Sequence, residues 1–423
     1  IDNSQSTIVN PQGWPMYRRD GQRSGSTATR VPPQLAPLWH VDLGDELTSP
    51  VIADGRVFVA LSDSRQVVAL DQVTGRELWR FAAGGRIDTP PAIHKGRAVF
   101  GCADGCVYCL RAEDGELIWR FRAAPRDRRL FACGQLESVW PVHGSVLVDD
   151  TLSGGVATAY FAAGRSSFLD GGIRLYALDL KTGDVRHSKD VYMFRGRDRI
   201  RQQVLPDILS LQKDTIWMRH LGVDKNLAPV KARPHLFAPR GFLDDTWWHR
   251  TYWVYGTEMG GGYTNWPVVG NVSPAGRLLA FGGGELIYGY GRMAYRVGDG
   301  HVRPDMTEDY RLFAEVLDRT PSAIRRQERK RQVKWTARLP FVARSIVLAR
   351  DALLVAGGSS ADEARERLGP GTLWIASRED GSKRAACTLP APPVLDGMGL
   401  TEKGVFVSTV DGAVVCLQGE NDE

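Results

Sequence analysis

One unit recurs along this chain at an interval of 40 residues, and few folds accept such a repeat. VVALDQVTGRELWRF opens at Val67 and VYCLRAEDGELIWRF at Val107, so Gly75 and Gly115, and Trp79 and Trp119, keep that interval. RLYALDLKTGDVRHS from Arg174 aligns with both, and LWIASREDGSKRAACTL from Leu373 aligns more weakly. The last residues, AVVCLQGENDE, keep only the first half of the unit. Each copy reads as an alternating strand, a turn ending in Gly, and a second strand. The T-G or D-G pair supplies the positive φ that a tight hairpin needs. Another hairpin precedes each copy, as in PVIADGRVFVAL (Pro50 to Leu61) and PAIHKGRAVFGC (Pro91 to Cys102). Four short strands in about 40 residues make the blade of a β-propeller.

The expected fold is therefore all-β, a propeller of eight four-stranded blades. Seven is left open, because the fourth blade shows no clear outer pair. Innermost strands are placed near Ser49, Thr89, Ser138, Leu205, Pro234, Asn265, Arg344 and Pro392. The chain ends after the third strand of a blade, at VVCL, and PLWHVDLG (Pro37 to Gly44) can supply the missing outer strand. One strand from each terminus then closes the ring and removes its open edges. Residues 1–36 read as a tail and lead-in, and 37–423 as a single propeller domain. Inserts are expected at about 191–203 and 300–332, the second with a helix, SAIRRQERKRQ, behind Thr320-Pro321.

Composition agrees and excludes other classes. The 46 glycines among 423 residues exceed the roughly 7% average for soluble proteins, as a turn-rich chain would. No apolar run approaches the ~18 to 20 residues of a membrane span. The net charge of +5 comes from Lys and Arg spread among nearly as many Asp and Glu, with one dense run from Arg325 to Arg331. Such a run reads as a solvated helix face, so no nucleic-acid partner is expected. Six cysteines are too few for a disulfide scaffold in a chain this long. The first residue is Ile1 and not Met, which points to a removed export signal or to a piece excised from a longer chain; with the first, the expected location is periplasmic or secreted.

ALDQVTGRELW (Ala69 to Trp79) and CLRAEDGELIW (Cys109 to Trp119) resemble the tryptophan-docking repeat of pyrroloquinoline-quinone (PQQ) type propellers. So does the opening WPMYRRDGQRSGS with LAPLWHVDLG. That family includes quinoprotein alcohol dehydrogenases and the BamB lipoprotein of outer-membrane assembly. The resemblance is strong over residues 14–188, weak over 189–335, and recovers over 336–423. It implies the fold, with the docking Trp stapling neighbouring blades. It also implies, for the dehydrogenase branch, an Asp base, a carboxylate-held ion and a disulfide between adjacent cysteines. No Cys-Cys dipeptide and no local carboxylate set for an ion stand in this sequence, so neither bound quinone nor another cofactor is expected.

Cys102, Cys106 and Cys109 have the C-x3-C-x2-C spacing of iron–sulfur ligands in radical enzymes. Here they fall in a hairpin, with Cys106 and Cys109 on opposite faces of one strand, and read as small buried residues. The segment Phe242 to Tyr255 packs Trp247, Trp248, His249, Arg250, Tyr252 and Trp253 together, which suits either a wide core or stacking on a ring ligand. In a propeller the start of each innermost strand and the hairpin between second and third strands share one face. That rule collects Glu137, Trp140, Arg165, Asp170, Arg219, His220, His235, Trp266 and Arg344 beside Trp248, His249 and Arg250. An Arg- and His-rich rim with aromatic walls suits an anionic or polyhydroxylated ligand. His220, His235 and His249 have no HxH or HExxH grouping, and no metal is assigned.

Two function classes follow. The first is an exported binding or scaffold propeller that recognises a protein segment or a glycan through a funnel on that face. The second is a lyase or hydrolase on an acidic glycan, with His220 or His235 as base and Arg165, Arg219 and Arg344 neutralising the sugar. PQQ-dependent oxidation is a third, weaker reading. Convergence of the Arg and His groups on one deep pocket favours the enzyme or a specific binder. Ion pairs between blades favour the scaffold. Oligomeric state is left open.

Overall fold

A computed structural model describes residues 13–132, 134–192, 208–238, 253–257, 271–294, 309–317, 331–359 and 369–419. Eight antiparallel sheets form the blades of a propeller. Seven have four strands, and the fifth has three among the described residues (His235–Phe237, Trp253–Gly256, Ala275–Gly276). The innermost strands run in ring order: Val51–Ala53, Ala92–His94, Leu147–Asp149, Leu209–Gln212, His235–Phe237, Leu278–Phe281, Val342–Leu348 and Pro393–Thr401. The ring closes as the sequence suggests. Leu35–Asp42 pairs with Ala413–Gly419 as the outermost strand of the eighth blade.

Several boundaries differ from expectation. The third blade's inner strand starts at Leu147 and not Ser138, because Gln135–Ser138 pairs with Arg129–Ala132 as a separate two-stranded ribbon. The sixth blade begins at Leu278 and not near Asn265, since Ala275–Gly276 belongs to the fifth. The insert drawn at about 300–332 contains Tyr310–Val316, the third strand of the sixth blade. The helix expected at SAIRRQERKRQ lies outside the described residues as far as 330, and the insert expected at about 191–203 does so from 193 onward. No helix among the described residues is long and apolar enough to cross a membrane.

Blades are joined by a recurring contact. Trp79, on the outer strand of blade one, donates its indole N–H to Ala112 O at 3.1 Å and covers Gly115 in the turn of blade two. Trp39 does the same over Gly75, Trp119 over Gly183, and Trp335 over Gly381. A flat ring needs a surface without a side chain, and Gly115 supplies one at φ +76. Apolar clusters fill the wedges between blades, for example Phe58, Ala69, Trp79, Phe100 and Tyr108 between the first two. Cys102 and Cys106 lie in that wedge and Cys109 in the next, on the opposite face, as small core residues. Burial pushes the thiols of Cys106 and Cys109 up to about 11 and 12, which keeps them protonated.

The domain reaches back past Pro37 to Trp14. Residues 14–27 run round the inside of the ring, bonding the free edges of the innermost strands. Trp14 exchanges both backbone bonds with Ile52 at 2.8 Å, Pro15 O accepts from Ile93, Gly21 O from Leu211, Ser24 O from Phe281 and Gly25 O from Leu348. Leu211, Phe281 and Leu348 are late residues of their inner strands, so there the segment sits toward the face opposite the second-to-third hairpins. Arg18 anchors it: its guanidinium pairs with Asp396 of blade eight at 2.5 Å, bonds Leu279 O and Arg23 O, and lies 4.5 Å over the Trp253 ring. Tyr17 and Trp253 donate to the same carboxylate. Arg23, fully buried, bonds Leu209 O and Tyr17 O; burial lowers its pKa to about 10, which leaves it charged.

Two substitutions test these joints in thermal and urea melts. In Gly115→Ala a Cβ would stand 2.7 Å from the Trp79 ring at a positive φ, and a loss of about 2 kcal/mol or more is expected. Arg18→Met leaves Asp396 buried without its countercharge, for an expected loss of about 3–5 kcal/mol. The double variant Arg18→Met/Asp396→Asn should recover part of that loss. Equal losses in the single and double variants would show that the ion pair is not the anchor.

Candidate functional site

The strand directions place the blade-to-blade connections and the second-to-third hairpins on one face, called here the upper face. Between blades two and three the chain makes its extra ribbon there, Arg129–Ala132 against Gln135–Ser138. Successive residues of a strand point to opposite faces. Leu130 and Glu137 are a cross-strand pair turned to the ring, where Leu130 packs on Ala124, Val139 and Trp140. Phe131 and Leu136 are the next pair and point away from it.

Glu137 is 1% exposed and sits at the centre of an ionic cluster that joins three blades. Arg86, from the connection between blades one and two, lies 3.0 Å from one carboxylate oxygen, and Arg165, from the hairpin of blade three, bonds the other. Arg86 also binds Asp88 at 2.5 Å, and His143 Nδ1 lies 2.6 Å from Asp88. Burial alone would raise the Asp88 pKa. The His143 hydrogen bond and charge, with Arg86, outweigh it and hold the carboxyl below its ordinary value. Gln135 extends the joint to blade one, accepting from Arg65 Nε at 3.0 Å.

Four sequence-predicted residues therefore meet in two pairs, Glu137 with Arg165 and Trp140 with Asp170. Trp140 is buried and gives its indole N–H to Asp170 O at 2.9 Å, with Asp170 in a turn at φ +53. A second group stands on blades four and five. His235 is fully buried, stacked 3.9 Å from the Trp217 ring, with Nδ1 on Arg233 O and Nε2 on Arg219 O. Burial pulls its pKa down to about 4 against those two bonds. Both ring nitrogens face backbone carbonyls in the core, out of reach of a substrate, which removes His235 as a base. His220 is half-buried and edge-on to Phe237, Arg219 is buried at φ +52, and Arg344 lies at the bulge of the seventh inner strand. Trp248, His249, Arg250 and Trp266 lie outside the described residues. Trp253 and Tyr255, from the same aromatic segment, are core.

Arg86, Asp88 and His143 were not singled out from sequence, although the rule that found Glu137 also covers them. Arg86 and Asp88 precede Thr89-Pro90 at the entry to blade two. The ribbon was not anticipated, since an inner strand was expected to begin near Ser138. Among the described residues no group of three or more His, Cys, Asp and Glu could hold a metal ion.

Comparison with known proteins agrees with this architecture. Residues 26–210 match the family model described as outer membrane protein assembly factor BamB, which places PQQ-type repeats over that stretch. The outer membrane protein assembly factor BamB of Nitrosomonas eutropha is 28% identical over 219 residues, covering 42% of this chain and 47% of that protein. A quinoprotein ethanol dehydrogenase of Pseudomonas aeruginosa is 27% identical over 165 residues, covering 36% and 25%. The chain thus spans less than half the length of these curated relatives. A quinohemoprotein alcohol dehydrogenase from Comamonas testosteroni superposes with a TM-score of 0.59 over 99% of this chain and 82% of its own, at 13% identity. That is a likeness of fold.

The ionic cluster predicts an acid signature. A carboxyl held below its unfolded value stabilises the fold above that value, and the contribution is lost as pH falls through the lower, folded one. The stability gap between the parent and Asp88→Asn should persist to about pH 5 and close below about pH 4, near the unfolded Asp value. Urea midpoints across that range measure it, and a gap unchanged at low pH would contradict the assignment.

Proposed function

We propose that this propeller, built on PQQ-type repeats, is an exported binding module that holds a segment of a partner protein at a funnel on its upper face. One observation carries the reading. The charged groups of blades one to three on that face are taken up by each other across blade boundaries, while the ribbon above them turns uncovered apolar side chains outward. Ion pairs of this kind lock the blades together and leave no general base and no free cation in the cluster. The relatives called assembly factors carry the same repeat, and that likeness supports an exported scaffold.

The other readings find less support. Pyrroloquinoline quinone is a tricarboxylate, and a funnel holding it needs cations that are not already neutralised. Arg86 and Arg165 both close on Glu137, so these two do not fit that group, and no step through a quinone is derived. Of the tryptophans expected to stack on a glycan, Trp140 is buried with its N–H occupied, and Trp248 and Trp266 lie outside the described residues.

Photo-cross-linking tests the reading. Benzoylphenylalanine at Leu169, which is 65% exposed in the upper hairpin of blade three, should form protein adducts in producing cells. The same residue at Val73, 61% exposed in a turn on the opposite face, should not. Identical adducts from both positions, or none from Leu169, would overturn it.

A further inference from the structure

The ribbon Arg129–Ala132/Gln135–Ser138 has an open edge as well as an uncovered face. Val139 N–H donates to Arg128 O at 2.9 Å, which fixes the alternation of the ladder. Leu130/Glu137 and Ala132/Gln135 then exchange bonds. Arg129/Ser138 and Phe131/Leu136 do not, and their N–H and C=O groups point away from each other. Ser138 N–H meets Ala103 O at 2.8 Å on the ring side. On the other side, among the described residues, no group bonds the backbone of Arg129 or Phe131. An unpaired strand edge is a template for another strand.

The side chains beside that edge define what it would accept. Phe131 is 74% exposed and Leu136 62%, directly opposite one another on the outer face. Between residues 120 and 129 stand Arg120, Arg122, Arg126, Arg128 and Arg129, all exposed, with Asp127 the single carboxylate. We propose that the Arg129–Ala132 edge is a docking strand for an extended partner segment that alternates apolar and acidic side chains. The segment adds as a third strand, its backbone bonding Arg129 and Phe131, its apolar residues covering Phe131 and Leu136, its carboxylates facing the arginines. This rests on the protein-binding reading above and names its partner chemistry. The ionic cluster under Glu137 holds the ribbon rigid before the partner arrives, which lowers the ordering cost of binding.

The test uses the full chain and a fluorescein-labelled peptide alternating valine with glutamate, followed by anisotropy at low salt. The peptide should bind, and its lysine counterpart at least about tenfold more weakly. Phe131→Ser and Leu136→Ser should each weaken binding by about tenfold while the melting temperature holds. Arg129→Pro removes an outward N–H that serves no ribbon bond, and should bind far more weakly than Arg129→Ala. Amides of 129–132 should exchange more slowly with the peptide present. Equal affinity for both peptides, equal binding by Arg129→Pro and Arg129→Ala, or capture only by phosphatidylglycerol vesicles would overturn the proposal. If the peptide fails while the Leu169 adducts persist, the edge assignment falls alone. If both fail, the protein-binding reading falls with it.

Discussion

The structure depends on a flat indole meeting a glycine that has no side chain to obstruct it. Trp79 over Gly115 and Trp119 over Gly183 join successive blades, and each also satisfies a carbonyl that the wedge would otherwise leave buried. Where the partner turn changes, the tryptophan is gone. Blade three has His187 opposite Ala177, the place Trp79 takes opposite Ala69. The turn of blade four has Leu227 at φ +63 in place of a glycine, and Lys189 reaches the Leu227 carbonyl instead. Blade seven has Ala385 at that position. Its neighbour's third and fourth strands come from opposite ends of the chain, so no turn exists there for an indole to cover. The staple and the glycine therefore vary together.

A ring of blades has inner strands whose central edges are unpaired, and the segment from Trp14 to Thr27 pairs many of them. It does so with backbone bonds to blades one, two, four, six and seven, while Arg18, Tyr17 and Trp253 converge on Asp396. This explains how a stretch rich in arginines becomes core: Arg18 and Arg23, both at positive φ, give up extended backbone to bring guanidinium groups onto inner-strand carbonyls. A buried ion pair adds little net stability compared with an apolar pair, but it penalises misplacement strongly. Its use here is to fix where the segment lies.

The 40-residue interval made the blade and the ring closure legible, because both follow from local alternation and turn chemistry. Boundaries failed where that chemistry was absent. An inner strand was placed from near Ser138, and only the pairing of Gln135–Ser138 with Arg129–Ala132 shows otherwise. Tyr310–Val316 was hidden inside a polar stretch whose neighbours suggested an insert. At the site, the topological rule located Glu137, Arg165, Trp140 and Asp170 on one face, but it could not say that they bond each other. His235 shows the limit most plainly. Its position at the start of an inner strand suggested access, and the stack on Trp217 buries it. Accessibility is set by the neighbouring blade, which no local pattern reports.

The two faces of the ribbon answer to different demands. The inner face is fixed by the fold: Glu137 joins three blades, and Leu130 covers Trp140. Phe131 and Leu136 on the outer face are exposed and take part in none of the joints described above, so polar residues there would leave those joints intact. Single exposed apolar residues are common and need no explanation. A directly opposed Phe–Leu pair, on a strand with an open edge and following a stretch with five exposed arginines between residues 120 and 129, is a different case. Folding does not require it, and it carries an aggregation hazard that edge strands ordinarily avoid with charge or proline. A feature the fold does not need, held rigid by a cluster the fold does need, is the arrangement expected of a surface retained for a partner.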